Sequence, residues 1–196
     1  MPPAIEFGPW RDALAGVRIY EDVINGGWTK DRGVLTSDEN ICSVILEREM
    51  PASYDVRVRF TRLTGVHSVG LFFTANSSVG VCDLDAWSEG LAGVQMLGGE
   101  SLKDGYGFRF SLENGRSYEM LVEVRRDEVR VSVDGDFKKA FDIKGKTLDV
   151  PQPWEWKASG RRLGLGVGSY QSATRFDKVE WRELTSKEPA QSIVSP

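Results

Sequence analysis

From Val34 onward, apolar and polar residues alternate in short runs broken by Gly, Asn, Asp and Pro. That period of two is the signature of half-buried β-strands, and no apolar stripe at helical spacing lasts beyond about two turns. The pattern predicts strands at Val34–Thr36, Ser43–Glu47, Tyr54–Arg62, Ser68–Ala75, Gly80–Ala86, Ala92–Leu97 and Gly107–Leu112. In YDVRVRFTR, Tyr54, Val56, Val58 and Phe60 face inward, whereas Asp55, Arg57, Arg59 and Thr61 face out. Tyr118, Met120, Val122 and Val124 form a second inward row, and Val129, Val131 and Val133 a third. Asp134-Gly135 then makes a tight hairpin turn into a return strand, Phe137–Ile143. Two more strands lie in RRLGLGVGSY and TRFDKVEWREL. Only the neighbourhoods of Arg11–Ala15 and Asp149–Lys157 read as irregular or briefly helical. About eleven to thirteen antiparallel strands imply an all-β fold, a two-sheet β-sandwich of the jelly-roll kind. One domain is expected over residues 1–185, with a flexible tail over 186–196.

Composition sharpens this picture only in places. The chain has 196 residues, with 21 glycines and six tryptophans, which suits a turn-rich sandwich. A formal charge of −4 leaves no basic excess for nucleic acid. The outward Arg57, Arg59, Glu119, Glu123 and Arg125 read as a solvated face with cross-strand ion pairs. Cys42 and Cys82 sit in apolar runs and read as buried free thiols, with one disulfide as the alternative. The single histidine, His67, excludes a multi-histidine metal site and reads as structural. No run approaches the roughly 18 apolar residues of a membrane span. MPPAIEFGPW has neither the basic nor the apolar region of a signal peptide, so the chain as it stands reads as cytoplasmic, or extracytoplasmic if a leader has been removed. Asn76-Ser77-Ser78 fits a glycosylation sequon.

The candidate chemistry centres on VCDLDAW. On a regular strand Asp83, Asp85 and Trp87 share one face, with Cys82, Leu84 and Ala86 on the other. Side chains two residues apart on a strand start roughly 6.6 Å from one another. Two carboxylates at that spacing suit a glycosidase pair or the oxygen ligands of calcium. With an indole beside them they also suit a sugar platform, where the ring stacks on a pyranose and the acids accept its hydroxyls. An ordinary strand with one wet side remains the plain alternative.

The C-terminal half carries a resemblance. A strand ending in VDG, a charged return strand, the loop PWEWK and then RRLGLGVGSYQSATRFDKVEWREL resemble the closing strands of concanavalin A-like sandwich domains. More narrowly, with YDVRVRFTR, they resemble bacterial laminin-G-like modules related to 3-keto-disaccharide hydrolase domains. The resemblance spans about residues 28–183 and implies a concave sheet across which saccharides lie. Laminarinase-type enzymes of that superfamily carry Glu-X-Asp-X-Glu on such a strand, where this chain has Asp83-X-Asp85-X-Trp87, and an indole cannot serve as acid or nucleophile. The resulting expectation is a non-catalytic module with a saccharide ligand, neither nucleic acid nor membrane as partner, and no catalytic residue. Its ligand face is expected to hold Asp83, Asp85, Trp87, Gln95, Arg109, Tyr170 and Gln171. No cofactor is called for, calcium being the one ion the aspartates could take. A keto-glycoside hydrolase and a scaffold domain without a small-molecule site are the alternatives. The sequence gives no oligomeric state.

Overall fold

A computed structural model describes residues 5–156 and 163–186. Its strands are β1 (Ile5–Phe7), β2 (Arg11–Asp12), β3 (Val23–Asn25), β4 (Trp28–Asp31), β5 (Val34–Ser37), β6 (Cys42–Glu47), β7 (Tyr54–Arg62) and β8 (Val69–Ala75), followed by β9 (Ser78–Ala86), β10 (Leu91–Val94), β11 (Phe108–Arg109), β12 (Ser117–Val124), β13 (Glu128–Val133), β14 (Asp136–Asp142), β15 (Leu165–Ser169) and β16 (Thr174–Ser186). One helical turn, α1 (Ile19–Asp22), precedes β3. All pairings are antiparallel, in a nine-stranded and a seven-stranded sheet, so the fold is the expected two-sheet sandwich.

The nine-stranded sheet runs β14-β13-β12-β7-β16-β5-β4, with β1 and β2 also on β16. The inward rows read from the sequence meet in register: Tyr118 opposite Phe60, Met120 opposite Val58, and Val122 opposite Val56. Asp134 (φ 52°) and Gly135 (φ 82°) turn β13 into β14 with the two positive φ values of a type I′ hairpin. On the outward face the charges pair as expected, Arg57 with Glu180 and Arg59 with Glu119. Asp55 is buried there between Arg125 (2.7 Å) and Arg182 (2.8 Å). The stretch Arg11–Ala15, read as irregular or briefly helical, is irregular at Ala13–Ala15 but begins with the short strand β2, because β16 is long enough to leave a bare edge beyond β5 that β2 and β1 fill. That same length carries β16 to Ser186, one residue into the expected tail, whose remainder lies outside the described residues.

The seven-stranded sheet runs β11-β10-β9-β8-β15-β6-β3. Its inner side sends Cys82, Leu84, Leu71, Phe73, Val167 and Val44 into the core between the sheets. Both cysteines are buried and free. Its outer side is also apolar: Ile45, Phe72, Val79 and Val81 form a second cluster with Val150, Trp154 and Trp156. The segment around Pro151–Trp156 therefore lies across the sheet's central strands. Ser43 Oγ anchors it by donating to the Trp154 carbonyl (3.0 Å), and Phe72 stacks on Trp156 with ring centroids 4.6 Å apart.

Glycine makes that contact fit. A Cβ on Gly166 would lie 2.7 Å from the Trp156 ring and 2.5 Å from the Val44 carbonyl, and one on Gly168 would lie 2.8 Å from the Trp154 ring. The glycines of GLGVG thus provide a flat floor for two indoles. Gly166→Ala is expected to destabilise the protein by about 1–3 kcal/mol through overpacking. Urea unfolding checks this, together with a red shift of the native tryptophan emission as Trp156 is lifted. An unchanged midpoint and spectrum would mean that the cover is not seated on β15.

Candidate functional site

Where the tryptophan cover ends, the outer face of the seven-stranded sheet opens into a cavity of about 90 Å³. Its lining combines β9, the residues flanking β8, β10 and β15, and the covering segment: His67, Ser68, Asp83, Ala86, Trp87, Gln95, Pro151, Pro153, Trp154 and Tyr170. Of the seven residues expected on a ligand face, four meet here: Asp83, Trp87, Gln95 and Tyr170. Larger grooves exist elsewhere, one of about 520 Å³ along residues 50–53 and 74–77, but its lining holds no buried ionisable group.

The shared face of Asp83 and Asp85 is not formed. Between Asp83 and Ala86, β9 advances three residues while β10 advances two, from Gly93 to Leu91. The extra residue makes a β-bulge, and Asp85 (φ 62°), Trp87 (φ 55°) and Ser88 (φ 57°) take left-handed backbone conformations that regular alternation does not anticipate. Asp85 is thereby re-aimed into the end of the sandwich. Its Oδ2 accepts from Arg62 Nη1 (2.9 Å) and the Leu112 amide (3.1 Å), and its Oδ1 from the Gly90 amide (3.1 Å). Arg62 also donates to the carbonyls of His67 (2.8 Å) and Leu112 (2.6 Å) and to Asn114 Oδ1 (2.6 Å). This buried pair ties the end of β7 to the loops before β8, after β9 and before β12. It is a structural clamp, and it removes Asp85 from any calcium site or acid pair shared with Asp83. Among the described residues, His, Cys, Asp and Glu side chains form no group of three or more able to hold a metal.

Two further expectations need correction. Arg109 is exposed on the edge strand β11 and its Nη1 donates to the Glu89 carbonyl (2.7 Å), so it braces the turn after β9 rather than entering the cavity. Gln171 (φ 46°) is an exposed turn residue whose amide donates to the Asn40 carbonyl (3.1 Å), and only its neighbour Tyr170 lines the cavity. Conversely, His67, Ser68 and Trp154 belong to the lining and were not expected there.

At the floor, Asp83 is 1% exposed. Burial pushes its carboxyl up to about 7, against the pull of the neighbouring Gln95 and Ser68 side chains. Its Oδ1 has no hydrogen-bond partner and sits over Gly70, where a Cβ would come within 2.8 Å of it. His67 is held by its own backbone: Nδ1 accepts from the Ser68 amide (2.8 Å), which leaves Nε2 as the protonated donor nitrogen. Burial lowers its pKa first, with Asp85 and Arg62 acting in opposite directions. The His67 ring lies 4.3 Å from Tyr170, which meets Trp154 edge-on at 5.5 Å. Trp87 is half-buried, with Lys103 Nζ 4.9 Å from its ring centroid. The site is a desolvated carboxyl group enclosed by aromatic walls.

Two antiparallel sheets in this order define a concanavalin A-like sandwich. Several solved structures share it. A carbohydrate binding module, CBM66 from Bacillus subtilis, aligns with a TM-score of 0.60 at 10% identity over 91% of this chain and 98% of that one. The exoplasmic/lumenal domain of VIP36, in a form with Ca²⁺ and Man2 bound, gives 0.58 at 15% identity over 91% and 88%. A putative glycosyl hydrolase from Parabacteroides distasonis gives 0.50 at 12% identity over 81% and 83%. At such identities the likeness is one of fold. No family model matches the sequence, and no curated protein matches it.

The two aspartates predict opposite stability effects. Asp85→Ala leaves Arg62 buried without its counter-ion and is expected to cost about 3–5 kcal/mol in chemical denaturation. Asp83 has the reverse sign. Its folded pKa lies above the unfolded value of 3.8, so its contribution is full below about pH 4 and declines to a minimum above about pH 7. Asp83→Asn is expected to abolish that decline, so unfolding curves measured across this range should show the variant gaining on wild type as pH rises. Parallel pH profiles would contradict a buried titrating carboxyl.

Proposed function

We propose that this chain is a non-catalytic binding module whose ligand is a carbohydrate, held at the Asp83 cavity. One observation carries the reading: a fully buried carboxyl with an unsatisfied oxygen lies at the floor of a cavity walled by Trp87, Trp154 and Tyr170. Aromatic rings supply the flat apolar contact that a pyranose offers, and Asp83, Gln95 and Ser68 supply placed polar groups. A carbohydrate binding module and the VIP36 domain among the fold's relatives are consistent with it.

The volume shapes the mode of binding. About 90 Å³ lies far below the roughly 300 Å³ at which small-molecule pockets begin, so the cavity takes one substituent or ring edge rather than a whole residue. A groove of about 470 Å³ lies beyond Pro151, which lines both, and can carry the rest of a longer ligand.

A hydrolase acting on a glycoside is the second reading, favoured by the presence of both His67 and Asp83 in the lining and by the glycosyl hydrolase relative. Electrostatics weigh against it. The charges that act on His67 are those of Asp85 and Arg62, in opposite directions. Asp85, the partner a two-carboxylate mechanism needs, is neutralised by Arg62.

A glycan array probed with wild type beside Trp87→Ala, with and without calcium, tests the proposal. Wild type is expected to bind at least one glycan class, and the variant to bind it at least about tenfold more weakly, since a stacked aromatic anchor is removed. Folded wild type that binds no glycan under either condition would falsify the reading. Turnover of a bound glycoside would move the assignment to the hydrolase.

A further inference from the structure

The floor of the cavity is a carboxyl group without a counter-ion among the described residues. Asp83 forms no ion pair there, and its Oδ1 accepts no hydrogen bond. The basic side chains around it are already held. Arg62 is taken by Asp85 and three further acceptors. Lys103 is paired with Glu89 (3.1 Å), and Arg109 is bonded to the Glu89 carbonyl. His67 is kept toward its neutral form by burial. None of the residues described as lining the cavity is Lys or Arg.

The surroundings reinforce this asymmetry. Tyr106 has its phenol pushed up to about 12, first by burial and then by Glu100, Asp104 and Asp83. A cavity in a field of this sign, with a desolvated carboxyl at its floor and aromatic walls, complements a small cation better than a neutral hydroxyl and repels an acidic sugar.

We infer that the group entering the Asp83 cavity is an ammonium, so that the ligand is an amino sugar bearing a free amine. This rests on the carbohydrate reading of the cavity and narrows it to one chemical class. A protonated amine would add a charged donor to the neutral ones of Gln95 and Ser68 and would hold the Asp83 carboxyl ionised.

Calorimetric titration of the whole chain with glucosamine and galactosamine and their oligomers, each in free-amine and N-acetylated form, tests this. Wild type is expected to bind a free-amine form at least about tenfold more tightly than its acetylated counterpart, because a charge-assisted hydrogen bond is lost on acetylation. Affinity for the amine is expected to weaken as pH falls from about 7 to about 5 and Asp83 takes up a proton. In Asp83→Asn the preference should disappear. If that variant does not fold, the amine-against-acetyl comparison and the pH dependence in wild type decide alone. Equal or tighter binding of acetylated or neutral glycans overturns the inference and leaves the carbohydrate reading standing. Absence of binding to any member of the panel and to any arrayed glycan overturns both.

Discussion

The seven-stranded sheet is apolar on both faces, and this constraint organises the functional end of the molecule. Ile45, Phe72, Val79 and Val81 on the outer side would expose a continuous hydrophobic surface if left open. The segment carrying Trp154 and Trp156 closes it, and the glycines at 70, 166 and 168 let the indoles approach the backbone. The cover is finite, however. It ends over Asp83, the one position in the outward row of β9 where a carboxyl replaces a valine. A polar group is thus brought into an environment built for apolar ones, and the cavity is the shape left between the end of the cover and the turn after β9.

Asp83 and Asp85 show how little separates a structural group from an available one. They are two residues apart, yet the bulge sends one to Arg62 and leaves the other against Gly70. The Arg62–Asp85 pair is hydrogen-bonded on nearly all sides, as a buried ion pair must be if it is to hold a structure together. It fixes the loops that bear His67 and Trp87 relative to β9. The walls of the cavity are therefore set by an interaction that does not itself face the cavity, which makes the site rigid where a binding site gains from preorganisation.

Much of the sandwich was legible in the sequence, because strand alternation survives wherever one face is buried. YDVRVRFTR and SYEMLVEV predicted both their strands and the inward rows that meet between them. The site was legible only in part. Asp83, Trp87, Gln95 and Tyr170 were recoverable because each lies on or just beyond a strand with an outward polar position. Asp85 was misplaced because a left-handed aspartate in a bulge has no marker when glycine does not occupy it. Trp154 was missed because contacts between a loop and a sheet far away in sequence leave no periodic trace. One signal was present in retrospect: β8 and β9 contain almost no exposed position, a pattern that belongs to a strand covered on both sides rather than to one with a wet face.

The desolvation of Asp83 links this architecture to the proposed binding. A buried carboxyl without a counter-ion disfavours its own ionised form, so the folded protein carries an unfavourable interaction that a suitable ligand relieves. Binding needs only complementarity. The desolvated Asp83 carboxyl, the absence of a described cation in the lining and the aromatic walls all act on whatever enters, and they act in the same direction. A ligand that donates hydrogen bonds and carries positive charge satisfies all three at once, whereas a neutral sugar edge satisfies two and an acidic one only the aromatic wall.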